Sequence, residues 1–345
     1  METEHILLFQ DSRDLSNISS NSVDLIVTSP PYPMVVMWDN LFSTLNNNIS
    51  SALHRGDGDL AFELMHKELD KVWVESYRVL KPGGMACIII GDSTRTVNGD
   101  FQLFTSHTRI TSKCLTLGFK ALPVIIWRKQ TNAPNKFMGS GMLPTGAYVT
   151  LEHEYILIFR KNSKRIFKTV KDKRKRDESA YFWEERNKWF SDVWLDLKGV
   201  KQNLKNSKLR DRSAAYPFEL AYRLINMFSI KDDTVLDPFL GTATTTLAAI
   251  ASQRNSIGVE LDSTLQNHII NKILNSKNSL NTYIEERLQR HMSFIQQYIE
   301  SHGEPKYINQ NYGFPVVTRQ EEKIKFPTIK RIFQKEPCKI IVEYS

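Results

Sequence analysis

Residues 28–32 read Thr28-Ser29-Pro30-Pro31-Tyr32 and follow a near-continuous apolar run, Val23-Asp24-Leu25-Ile26-Val27. That pattern predicts a buried strand ending in a stiff loop. The loop carries what is needed to hold an exocyclic amine. Ser29 offers a hydroxyl oxygen and Pro30 a backbone carbonyl, and both can accept from one NH2 group. Tyr32 offers a flat face to a base or a cation. Pro30 and Pro31 remove backbone freedom, so the acceptors are positioned in advance. The same residues also suit a rigid surface turn, and a second segment decides between the two.

That segment is Leu236-Asp237-Pro238-Phe239-Leu240-Gly241-Thr242-Ala243-Thr244-Thr245-Thr246. It lies between a predicted strand, 234–236, and a helix beginning near Thr244. A turn from strand to helix brings backbone N–H groups to an open helix N-terminus, which suits an anionic group. Gly241 permits close backbone approach. The next predicted strand, 256–259, leads into Glu260, and an acidic residue there can grip ribose hydroxyls. Alone, this turn fits any nucleotide-binding sheet, or simple packing.

The elements around these segments alternate. The stretch 5–11 reads as a short buried strand with Asp11 at its end. Helical spacing runs from Ser50 to Leu80, with Leu64, Met65, Leu69, Val72, Trp73 and Tyr77 as the apolar face, and Lys81-Pro82-Gly83-Gly84 stops it. A strand at 85–90, a helix at 108–117 and two strands at 124–127 and 155–159 follow. A helix spans about 217–228, with Ser213 upstream as a cap. The tail after Asp262 reads as helical to about Ser301, then irregular and basic. Strands and helices in alternation predict a parallel, doubly wound α/β sheet.

The chain has 345 residues, 41% hydrophobic, and a net charge of +8. One large domain or two ordinary ones are expected, and the basic balance favours a polyanionic partner. Three cysteines without CxxC spacing argue against a disulfide framework or a zinc site, and fit a reducing compartment. The polar start, Met1-Glu2-Thr3-Glu4-His5, is unlike a signal peptide, and no apolar run approaches the roughly 20 residues of a membrane span. Cytoplasmic residence is expected, with no membrane and no metal. Between the two motifs a basic run includes Lys164, Arg165, Lys168, Lys173, Arg174, Lys175 and Arg176. Charge runs are usually solvated faces. The aromatics Tyr181 to Trp194 read better as a small core than as stacking groups. Pro337-Cys338, in a basic tail, reads as structural.

Together the two motifs resemble the amino-methyltransferases of DNA, which use S-adenosylmethionine. The first segment is similar to their catalytic motif, and serine in its opening position most resembles the cytosine-N4 branch. The second resembles their cofactor motif, with Ala243 where a second glycine is usual. The catalytic motif ahead of the cofactor motif resembles the beta arrangement of the family. Arg78 to Gly84, Glu154 to Phe159 and Ser213 to Leu224 also resemble family segments.

The resemblance implies a seven-stranded class I S-adenosylmethionine-dependent methyltransferase sheet, in circularly permuted motif order, with inserted DNA-recognition elements. It implies a catalytic part at 1–160, a target-recognition insert at 161–212, a cofactor part at 213–275, and an extension at 276–345 that joins DNA contact. Ser29, Pro30, Pro31 and Tyr32 would be catalytic. Asp11, Ser213, Asp237, Pro238, Phe239, Gly241, Thr242 and Glu260 would line S-adenosylmethionine. The basic run would contact double-stranded DNA. The implied activity is methylation of the N4 amine of a flipped cytosine, paired with a restriction endonuclease in a bacterial or archaeal host. Adenine-N6 methylation, action on RNA or a protein amide, and a non-catalytic nucleic-acid-binding protein are the rivals.

Overall fold

The computed structural model describes residues 1–129, 138–199 and 216–345. Its centre is one mixed sheet of eleven strands. In chain order these are β1 (Glu2–Phe9), β2 (Val23–Thr28), β3 (Leu80–Ile90), β4 (Phe119–Ala121), β5 (Ile125–Arg128), β6 (His153–Lys161), β7 (Val193–Trp194), β8 (Thr234–Asp237), β9 (Asn255–Glu260), β10 (Ile329–Glu336) and β11 (Lys339–Tyr344). The spatial order is β7-β5-β6-β3-β2-β8-β9-β1-β11-β10, with β4 paired to β6. The five middle strands, β3-β2-β8-β9-β1, run parallel. Antiparallel pairing begins on one side at β6 and on the other at β11.

The sheet separates two cores. β2 is buried at all its positions, as expected of a strand covered on both faces. Leu25 and Val27 belong with the helices Phe218–Phe228 and Thr244–Ala251, whereas Ile26 packs with the face of the helix Gly58–Val79. Three helices precede β3: α1 (Asp39–Leu45), α2 (Asn47–His54) and α3 (Gly58–Val79). The predicted apolar face holds, since Met65, Leu69, Val72 and Trp73 are all buried. The single helical stretch from Ser50 to Leu80 does not. Gly56 adopts φ +70, and Asp57 caps a new helix by accepting from the Leu60 N–H, so α2 and α3 are separate.

Two further expectations need correction. Seven strands were expected from the family likeness, and seven are here, but the short β4 and β7 and the hairpin β10–β11 enlarge the sheet to eleven. The tail beyond Ser301 is therefore not irregular throughout. Ile329, Ile340, Ile341, Val342 and Tyr344 are buried, and Tyr344 Oη donates to the Ile250 carbonyl at 2.9 Å. Lysines and arginines at intervening positions mask this alternation in the sequence. The aromatic stretch is core as expected, with Phe182, Trp189 and Trp194 buried and only Trp183 substantially exposed. Among the described residues no helix is long and apolar enough to cross a membrane.

Candidate active site

β2 and β8 pair in parallel, Leu25 beside Val235 and Ile26 beside Leu236. Their outgoing loops, 29–33 and 238–243, therefore leave the sheet side by side at its carboxyl edge, where open α/β sheets bind ligands. One side chain ties the loops together. Asp237, 2% exposed, accepts at Oδ1 from the Thr28 hydroxyl (2.7 Å) and the Phe239 N–H (3.1 Å), and at Oδ2 from the Thr245 hydroxyl (2.7 Å) and the Tyr216 hydroxyl (3.1 Å). Burial raises its pKa against these four bonds. Asp237 thus acts on the loop from beneath, through protein partners.

The 238–243 loop itself turns on two left-handed residues. Gly241 has φ +52, and a Cβ there would meet only the Phe239 carbonyl, at 4.0 Å, so the space above it is open. Ala243 has φ 64 and ψ 32, the conformation for which the second glycine is usual. Its methyl is fully buried. No side chain caps the helix that Ala243 opens. Glu260, at the end of β9, accepts from the Gly241 N–H (2.8 Å) and the Asp262 N–H (2.9 Å), while burial raises its pKa. Lys272 donates to the Thr242 carbonyl at 2.6 Å. Pro238 is buried, and Phe239 meets Trp73 edge-on, 6.1 Å between centroids.

Asp11 comes to the same edge, because β1 lies beside β9 with Phe9 opposite Glu260. Its carboxylate accepts from Arg13 Nε (2.8 Å) and the Arg13 N–H (2.9 Å). Burial alone would raise its pKa, yet the Arg13 bonds and charge bring it below the usual value. Ser213 lies outside the described residues.

In the first loop Pro30 is buried, whereas Ser29, Pro31 and Tyr32 are half-buried. The Ser29 hydroxyl donates to Tyr32 Oη at 3.2 Å, and Tyr32 Oη donates to Glu154 Oε2 at 2.9 Å. Lys129 Nζ donates to the other oxygen, Oε1, at 2.8 Å. Burial, then the Glu154 charge, pushes the Tyr32 phenol pKa well up, so its proton stays in place. Gly91 gives the ring room, since a Cβ there would lie 3.0 Å from Tyr32 Cε2. Sequence reasoning missed Glu154 and Lys129 as site residues. The only signal was the likeness of the Glu154 segment to a family strand.

The basic run does not reach this edge. Arg165 makes two bonds to Asp233, 2.6 and 2.9 Å, and lies 3.5 Å from Asp24. Lys175 pairs with Asp232 at 2.6 Å and Arg174 with Glu178 at 2.8 Å. Asp24 sits near the start of β2, and Asp232 and Asp233 just ahead of β8. These are the amino ends of the parallel strands, opposite the 29–33 loop. Lys164, Lys168, Lys173 and Arg176 are exposed along the same segment. The run expected to contact DNA therefore lies along the amino edge of the sheet. The connection from β5 to β6 emerges at the carboxyl edge, next to Glu154. Among its described residues Met142, Leu143 and Val149 are strongly exposed, and Tyr148 stacks on Phe101 at 4.3 Å.

Two loops side by side at the carboxyl edge of an open α/β sheet, one proline-stiffened and one turning on Gly241, fit a nucleotide-cofactor group transferase. The family model described as DNA methylase, for N6 and N4 amino groups, matches residues 23–273, and this chain belongs to that family. The Type II methyltransferase M.MthZI of Methanothermobacter thermautotrophicus is 53% identical over 97% of this chain and 94% of its own. The Type II methyltransferase M.MjaI of Methanocaldococcus jannaschii is 50% identical over 79% of this chain and 91% of its own. Among solved structures, a candidate DNA modification methylase of Thermus thermophilus, complexed with S-adenosyl-L-methionine, is 32% identical, with TM-score 0.60, over 81% of this chain and 96% of that one.

Proposed function

We propose that this chain transfers a methyl group from S-adenosylmethionine to the N4 amine of a cytosine extruded from duplex DNA. The observation that carries the reading is the joining of the Ser29 loop and the Phe239 loop through Thr28 and Asp237.

The residues present fit the cofactor. The open space over Gly241 admits a ligand against the backbone. Each Glu260 oxygen accepts one N–H and keeps a further lone pair for a ribose hydroxyl. Asp11, at the neighbouring strand end, would take the adenine amine, and Phe239 would pack on the ring. Pro238 and Thr242 fix the loop around them. Bound there, the sulfonium supplies an already activated methyl group.

The chain supplies orientation. A cytosine amine is a poor nucleophile because its lone pair is delocalised into the ring. Ser29 Oγ and the Pro30 carbonyl, accepting from both N–H bonds, favour a more pyramidal nitrogen. Pro31 stiffens the loop and the Tyr32 face eases developing positive charge. Alignment of this kind is worth about 7–11 kcal/mol in well-placed intramolecular reactions. A stacked base cannot reach the loop, so extrusion is required, at a cost of a few kcal/mol. Duplex DNA would lie over the carboxyl edge, touching the connection from β5 to β6. The Type II names of the relatives support a pairing with a restriction endonuclease in a bacterial or archaeal host.

The test is to methylate DNA with the purified protein and weigh the released nucleosides. N4-methylcytosine is expected. N6-methyladenine without N4-methylcytosine would overturn the choice of base.

A further inference from the structure

A hydrogen-bond chain has a direction, and here it is set at one end. Glu154, as a carboxylate, can only accept, and Lys129 can only donate. Tyr32 has one hydroxyl proton, which goes to Glu154 Oε2 at 2.9 Å. Towards Ser29, Tyr32 is therefore an acceptor, and the Ser29 proton points at it across 3.2 Å. With its proton committed inward, Ser29 Oγ has only lone pairs left for an incoming base. We propose that Glu154, held by Lys129, is a positioning residue that fixes this polarity, so that Ser29 meets the target base as an acceptor and selects an amine over a carbonyl. The inference rests on the methyltransferase reading above, and it goes further by assigning the device that makes a hydroxyl, which can donate or accept, behave as an acceptor only.

Lys129 makes the proposal testable. In Glu154→Gln the amide must still offer an acceptor to Lys129 Nζ, now 2.8 Å from Oε1. Its carbonyl therefore faces Lys129 and its NH2 faces Tyr32. The chain reverses: the amide donates to Tyr32, Tyr32 donates to Ser29, and the Ser29 proton turns outward against the amine. Single-turnover methyl transfer should fall on the order of ten- to a hundred-fold, the range for losing a charge-assisted bond. Affinity for S-adenosylmethionine, read by titration calorimetry, should stay within about two-fold, since Glu154 bonds Tyr32 and Lys129, which lie outside the 238–243 loop.

Removing the lysine should undo the reversal. In Lys129→Met with Glu154→Gln, the amide is free to turn its carbonyl to Tyr32, and the original direction returns. The double variant should be faster than Glu154→Gln alone, an outcome that loss of packing cannot produce. Thermal melting of all variants controls for folding. An unimpaired Glu154→Gln, or a double variant no faster than that single change, would overturn the proposal. Wild-type production of N6-methyladenine would refute the cytosine reading and leave this one standing, since adenine also presents an amine.

Discussion

The Thr28 hydroxyl and Asp237 Oδ1 lie 2.7 Å apart, across 209 positions of sequence. This bond fastens the end of the strand that carries Ser29 to the end of the strand that carries Phe239. Both partners are buried, so neither can turn to water if the other is lost. Thr28→Val keeps the shape and deletes one of four donors to Asp237. It should lower unfolding free energy by about 1–3 kcal/mol in urea titration. Methyl transfer should fall with it, because the two loops lose their direct tie.

Asp237→Asn is the harsher change, though nearly isosteric. Thr28, Thr245, Tyr216 and the Phe239 N–H all donate to this side chain. An amide NH2 either opposes the Phe239 N–H, which cannot turn, or makes the Thr245 and Tyr216 hydroxyls give up their donation and accept instead. The loss should exceed that of Thr28→Val, and S-adenosylmethionine binding by calorimetry should weaken as the Phe239 loop shifts. Equal or better stability than Thr28→Val would show that Asp237 is not the acceptor hub described.

Ala243 answers a question that the sequence raises and cannot settle. An alanine occupies the usual glycine position, and it takes the glycine conformation, φ 64. Left-handed backbone costs an L-residue about 1–2 kcal/mol, and burying the methyl returns about 0.8 kcal/mol. Ala243→Gly should therefore change the melting free energy by no more than about 1 kcal/mol. Ala243→Val, branched at Cβ in the same conformation, should be strongly destabilising and should abolish cofactor binding. A valine variant that binds normally would refute the constraint.

The two motif loops were legible because each is a local pattern, an apolar strand followed by a stiff or glycine-bearing turn. Their meeting followed from motif order in an alternating sheet. What was not legible depends on register. Glu154 reaches Tyr32 only because β6 runs antiparallel to β3 with Tyr155 opposite Ile90, which places it beside Gly91. Nothing local in either strand announces that pairing. The edge taken by the basic run was hidden for a related reason: a sheet has two edges, and charge does not say which. The hairpin β10–β11 was hidden because lysine and arginine tolerate the outward positions of a strand and dilute its alternation.

The placement of the basic run gives two opposed expectations. Lys168→Ala with Lys173→Ala and Arg176→Ala removes three exposed charges at the amino edge. Affinity for duplex DNA in fluorescence anisotropy should change by less than about two-fold at 0.15 M salt, beyond a uniform shift in salt slope. Arg165→Ala should act differently, through folding. It removes both side-chain bonds of the buried Asp233 carboxylate, whereas Asp24 keeps Lys81 at 2.7 Å. Removing one partner of a buried pair costs on the order of 3 kcal/mol. A clear loss of DNA affinity in the triple variant, with stability intact, would return the run to the DNA interface.

His66 sets an acid limit on stability. It is fully buried on α3, its ring edge-on to Phe62 at 4.5 Å, with Nδ1 lacking a partner and Nε2 only 3.4 Å from Ser106 Oγ. Burial, with a smaller push from Arg109, lowers its pKa to about 3. The unfolded chain keeps the ordinary value near 6.5. Between those two values the unfolded state binds a proton that the folded state refuses. Stability therefore rises with pH in this window and is lost as pH falls below about 6.5, by about 1.4 kcal/mol per unit. His66→Met fills a similar volume without a titrating ring. At pH 5 it should melt higher than the parent, by about 2 kcal/mol for this group alone. The advantage should shrink towards zero at pH 8, where both states of the parent carry a neutral ring. A difference between the two proteins that stays constant from pH 8 to pH 5 would show that His66 is not the residue that refuses the proton.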